Sequence, residues 1–157
     1  PIILPSPIAI NEYPAKSNSV HSFPNTPLIT QCADKYAVRE YVKKMGCEET
    51  LIELYGAYDN AEEIPWEQLP QKFVIKWNFG CGQNFICKNK DDYSFEQVKR
   101  LLKEWRKEFN YFYKYGAEMQ YKPIVPKIII ERLIEPEGGG APVDYKLYCF
   151  HVLQNFA

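Results

Sequence analysis

The sequence is poor in the residues that build metal and disulfide frameworks. It has two histidines, His21 and His151, far apart in the chain. Its cysteines are odd in number, five, and no two have CxxC spacing. That pattern argues against a zinc site or a disulfide scaffold and fits reduced thiols in a cytosolic protein. Charge of one sign is also lacking: 19 basic residues face 20 acidic ones, for a net charge of −1. Such balance gives no electrostatic reason to expect nucleic acid as a partner. No apolar run approaches the roughly 20 residues of a membrane span. The stretch from Ile2 to Ile10 is too short and too broken by proline to be a signal core. No internal repeat is visible.

Apolar residues make up 46% of the 157 and charged ones 25%, which allows a packed core and excludes a disordered chain. Twelve Tyr and nine Phe raise the aromatic share to 15% and suggest clefts or broad packing faces. Residues 1–31 are proline-rich and read as an extended arm with at most short helical turns, Pro24 and Pro27 forbidding a regular helix. Asp34 reads as the opening of a helix, capping the N–H groups of residues 35–38. Val38, Tyr41, Val42 and Met45 fall on one face, and Gly46 ends the helix. Residues 51–58 are a strand candidate. Pro65 to Pro70 reads as one short helical turn.

The run Phe73-Val74-Ile75-Lys76-Trp77 reads as a strand, Gly80-Cys81-Gly82 as a tight turn, and Phe85-Ile86-Cys87 as the returning strand. Such a hairpin can hold phosphate, with Lys76 supplying charge and the loop supplying N–H donors. Gly-x-Gly in a hairpin is also an ordinary turn, and Cys81 there can be only a small residue, since no base is indicated for a nucleophile. Lys76 is harder to dismiss, because an unpaired ammonium buried in an apolar strand is costly. Ser94 and Gln97 form a capping-box pattern. The long helix they open carries one continuous stripe of Val98, Leu101, Leu102, Trp105, Phe109 and Phe112. Its basic residues are interrupted by Glu96, Glu104 and Glu108 and read as a solvated face. Ile128-Ile129-Ile130 is apolar on both faces, as in a central strand. The loop 138–142 follows, and then Asp144 to Phe150 reads as a strand paired with the preceding one.

These pieces, in this order, resemble the ATP-grasp fold and most closely its TupA-like branch, which is associated with bacterial polysaccharide synthesis. The phrases Ala33-Asp34-Lys35-Tyr36-Ala37-Val38-Arg39-Glu40-Tyr41-Val42 and Asp144-Tyr145-Lys146-Leu147-Tyr148-Cys149-Phe150 carry the likeness, over about residues 28–151. In a protein kinase the glycine loop would precede the strand lysine; here it follows. The resemblance implies an α+β fold of antiparallel sheets with packed helices, in two lobes. The nucleotide-clamping lobe would run over 32–134 and the second, incomplete lobe over 135–157.

It implies ATP with Mg2+ as cofactors, a nucleotide and a sugar-acid or polysaccharide precursor as partners, and joining of a carboxylate to an amine through an acyl phosphate. Lys35 and Lys76 resemble the two phosphate lysines, and Gly80, Cys81 and Gly82 the closing loop. Glu131, Arg132 and Leu133 resemble the adenine hinge. Glu135 or Glu137 resembles the ribose contact, and Lys146 the basic residue that faces the γ-phosphate or the acceptor carboxylate. The family's magnesium ligands lie on strands beyond the Asp-Tyr-Lys strand. Nothing after Phe150 supplies them, so the sequence reads as part of a longer protein and is not expected to complete catalysis alone. The alternatives are a non-catalytic nucleotide-binding module and a glycosyltransferase-associated domain.

Overall fold

The structure, a computed structural model, describes residues 27–114, 118–136, 138–139 and 142–143. The chain divides into a unit spanning Pro24–Ile134 and a second made of Pro1–Phe23 with Glu135–Ala157. The first unit carries every regular element among the described residues. These are helices α1 (Pro27–Ala33), α2 (Val38–Lys44), α3 (Phe95–Lys107) and α4 (Phe109–Lys114), and strands β1 (Leu54–Tyr58), β2 (Phe73–Trp77), β3 (Asn84–Cys87) and β4 (Ile128–Glu131). The class is α+β, as the sequence indicates.

The strands form one antiparallel sheet in the order β1-β4-β2-β3. β4 is its most apolar strand and lies inside it, with all four residues buried. This explains an isoleucine run with no polar alternation: both faces and both edges are covered. Along Ile128–Glu131 the edges are taken by β1 and β2. The stretch 144–150, expected as a strand paired with the preceding one, lies outside the described residues.

β2 alternates as a half-buried strand should: Phe73, Ile75 and Trp77 are buried, while Val74 and Lys76 are half-buried on the opposite face. α3 packs on the first of these faces. Its capping box is present in full: Ser94 Oγ accepts from the Gln97 N–H at 3.3 Å, and Gln97 Oε1 accepts from the Ser94 N–H at 2.9 Å. Val98 and Leu102 are buried from it. The Trp77 indole N–H donates to the Leu102 carbonyl at 3.1 Å, which pins strand to helix. Trp66, Phe73, Phe79 and Phe109 complete the core, with Phe79 and Phe109 edge-to-face at 4.7 Å between centroids.

Two expectations change. The helix is not continuous through the apolar stripe: α3 ends at Lys107, and α4 starts at Phe109 after a break at Glu108. The break seats Phe109 on Phe79. The Phe112 side chain lies outside the description. Pro27 does not prevent a helix either; it opens α1. Proline is well suited to a first helical position, where its missing N–H would have no intrahelical partner.

Candidate functional site

The site is built where three elements meet at the C-terminal end of β2. Asn78, the first residue after the strand, has no exposed surface. Its side chain donates to Asp34 Oδ1 at 2.9 Å and to the Val125 carbonyl at 3.0 Å, and it accepts from the Lys127 N–H at 2.8 Å. Its own carbonyl accepts from the Lys35 N–H at 2.9 Å. Asp34 Oδ1 also accepts from the N–H groups of Tyr36 and Ala37, at 2.8 and 3.1 Å. Asp34 thus caps the turn over residues 35–37 and ties it to the end of β2, but it is not the cap of α2, which begins at Val38 after Ala37 and carries no side-chain cap. Sequence reasoning missed Asn78. The only hint was an amide placed directly after a buried strand.

This joint sets Lys35 over the glycine turn. Its ammonium donates to the carbonyls of Phe79, at 3.0 Å, and Gly80, at 2.6 Å. Burial lowers its pKa to about 8; Lys76 nearby pushes the same way, and Cys81, Asp34 and Glu131 oppose them. Gly80 and Gly82 adopt φ of 65° and 81°, left-handed values that a side chain would strain. Cys81 between them is exposed, and it is one of four described cysteines that are all free. At the far end of the turn the Gln83 amide donates to Glu108 Oε2 at 2.5 Å, which anchors the loop to the break between α3 and α4.

Lys76 projects from the face of β2 opposite the aromatic core. It is 20% exposed, and its Nζ lies 2.6 Å from Glu131 Oε2. Glu131, 5% exposed, ends β4 and sits diagonally across the ladder on the same face. Its other oxygen is 3.3 Å from Arg39 Nη1, and Arg39 Nη2 donates to the Ile52 carbonyl at 2.7 Å. The premise that Lys76 is a buried ammonium without a partner is thus corrected: Glu131 compensates it. What singles out Lys76 is its neighbourhood, not an unmet charge.

The structure brings Lys35, Lys76, Gly80, Cys81, Gly82 and Glu131 into one region. Arg132 and Leu133 follow directly. The Arg132 N–H donates to the Glu53 carbonyl at 3.0 Å, its side chain is exposed, and Leu133 is half-buried. Glu135 is exposed. Glu137 and Lys146 lie outside the described residues. An open cleft of about 620 Å3 is bordered by Tyr36, Arg39, Lys43 and Ile52, but not by Lys76 or the glycine turn.

An α+β unit that sets one lysine on a glycine turn and a second on the adjoining strand has the means to grip an anion, with cationic side chains and backbone N–H groups close together. Such a layout is that of a phosphate-clamping protein. The chain belongs to the TupA-like ATP-grasp family, whose sequence profile matches residues 21–157. At that level it is an ATP-grasp protein, nucleotide-binding and of ligase type. No curated protein matches it, and no solved structure does.

The family generally binds ATP with Mg2+. Among the described residues no group of three or more His, Cys, Asp and Glu side chains could hold a metal ion, and both oxygens of Glu131 are engaged by cations. Those residues do not fit a magnesium site. Among the described residues no helix is long and apolar enough to cross a membrane.

Proposed function

We propose that this chain is the nucleotide-gripping part of an ATP-dependent carboxylate–amine ligase acting in bacterial surface polysaccharide synthesis, in the cytoplasm. The observation that carries the nucleotide part is the pair Lys35 and Lys76 at one glycine turn, with the Lys35 ammonium resting on the carbonyls of Phe79 and Gly80. Those carbonyls are weak substitutes for phosphate oxygens. On binding, Lys35 exchanges them for the triphosphate, and the turn from Gly80 to Gly82, released, reorients its N–H groups over it. Lys76 reaches the inner phosphates. The backbone of Glu131, Arg132 and Leu133 faces adenine, Glu135 or Glu137 the ribose, and Lys146 the γ-phosphate or the acceptor.

In the reaction an acceptor carboxylate oxygen attacks the γ-phosphorus, the bond to the β-phosphate oxygen breaks, and ADP leaves. An amine nitrogen then attacks the acyl carbon, inorganic phosphate leaves and the amine loses a proton. Charge spreads over the transferring phosphoryl oxygens, where fixed cations lower the barrier. The carboxylate is that of a sugar acid, a substrate supported by the family likeness.

Calorimetric titration with Mg·ATP tests the nucleotide part. Saturable binding by the wild-type chain, weakened about a hundredfold or more in Lys76→Ala, is the expected result. A folded wild-type chain that takes up no heat from Mg·ATP would overturn it. Release of ADP that depends on both a sugar acid and an amine tests the reaction.

A further inference from the structure

Glu131 stands between two cations, and only one of them belongs to the phosphate-gripping pair. Lys76 holds Oε2 at 2.6 Å and Arg39 holds Oε1 at 3.3 Å. Arg39 is itself fixed by its 2.7 Å bond to the Ile52 carbonyl. The side chains of Arg39, Glu131 and Lys76 are 14%, 7% and 20% exposed. Arg39 lies four residues beyond Lys35, so one short segment presents both the lysine over the glycine turn and the guanidinium behind Glu131.

This layout answers a physical difficulty. A lysine pressed against a buried carboxylate offers little charge to a phosphate. To turn toward one, it must leave behind a carboxylate that stays ionised. A buried carboxylate deprived of its cation is strongly unfavourable; it would hold the lysine back or take up a proton. A guanidinium already bonded to the other oxygen removes that penalty, and it cannot lose its own charge at any ordinary pH.

Resting on the nucleotide reading above, we propose that Arg39 is a positioning residue for Lys76: it is the standing counter-ion of Glu131 that allows Lys76 to move between this carboxylate and the nucleotide phosphates. Glu131 orients Lys76 while the site is empty, and Arg39 keeps that hold from becoming a trap. Arg39 itself touches no substrate.

Calorimetry with Mg·ATP on the wild-type chain, Arg39→Gln and Arg39→Gln/Glu131→Gln tests this. Arg39→Gln should bind about tenfold or more weakly. Its binding should take up a proton at Glu131, seen as a binding heat that varies with the ionisation heat of the buffer more than in the wild type. The double variant has no buried carboxylate to compensate, so it should regain most of the affinity and lose the extra proton uptake. A purely structural Arg39 predicts no such rescue. Wild-type affinity in a folded Arg39→Gln, or a double variant no better than the single, overturns the proposal and leaves the nucleotide reading standing. A wild-type chain that does not bind Mg·ATP overturns both. Should Arg39→Gln not fold, the double variant decides: affinity within a few-fold of wild type supports the role, and a loss as large as that of Lys76→Ala sinks it.

Discussion

Lys35 is the residue whose chemistry is most altered by its place. Its pKa is lowered to about 8, first by burial and then by Lys76. The sign follows from proton counting. Between about pH 8 and the ordinary lysine range the unfolded chain carries a proton here that the folded one does not, so this residue's contribution to stability rises with pH across that window. The cost of burying the ammonium is fully present below it. Nucleotide binding should run the other way. A triphosphate favours the charged amine, so above pH 8 binding must first bring in a proton. Affinity for Mg·ATP should be flat below about pH 8 and fall by up to about tenfold per unit above it. In Lys35→Met that slope should vanish, which titrations at several pH values would show. Lysine identity and order along the chain are legible in the sequence. The carbonyls on which Lys35 rests are not, because they come from a turn 44 and 45 residues away.

Between elements, the decisive joint is Asn78. It links the turn before α2, the end of β2 and the segment leading to β4 through one buried amide. In Asn78→Ala the buried bond to Asp34 and the part-buried bonds to the Lys127 N–H and the Val125 carbonyl are lost, and a buried polar group left without its partner costs about 1–3 kcal/mol. A clear fall in thermal midpoint is expected. Because the same residue fixes the level of Lys35, weaker Mg·ATP binding should accompany it in protein that remains folded. Unchanged melting would show that Asn78 is not the joint described. The local signals for elements read well: alternation in β2, the Ser94–Gln97 box, and glycine after α2. Those that misled were signals of continuity. The stripe through Phe109 suggested one helix, but contact with Phe79 rotates the chain into a second.

Across the whole described unit, stability rests on the α3 face of the sheet. Leu102 and Ile130 are fully buried there, whereas Ile86 on β3 is 51% exposed. Leu102→Ala should cost about 2–5 kcal/mol, a large part of the stability of an ordinary domain. Ile86→Ala should stay within about 0.5 kcal/mol. Urea melts of the two variants distinguish this distribution of the core from an even one. The opposite face carries the Lys76–Glu131 pair, so one sheet has aromatic packing on one side and charge on the other.

By itself the sequence determined the α+β class, the strand–turn–strand that carries Lys76, the capped helix behind it and the order of motifs that defines the family. All of these depend on neighbours a few residues apart, which periodicity and turn chemistry report directly. Only the tertiary structure decided that β4 lies between β1 and β2, that Asn78 joins three segments, and that Lys76 is balanced by a carboxylate which Arg39 also holds. Those contacts join residues 44 to 92 positions apart. Their partners are chosen by which apolar faces bury best against one another, a property of the packed chain that no local pattern records.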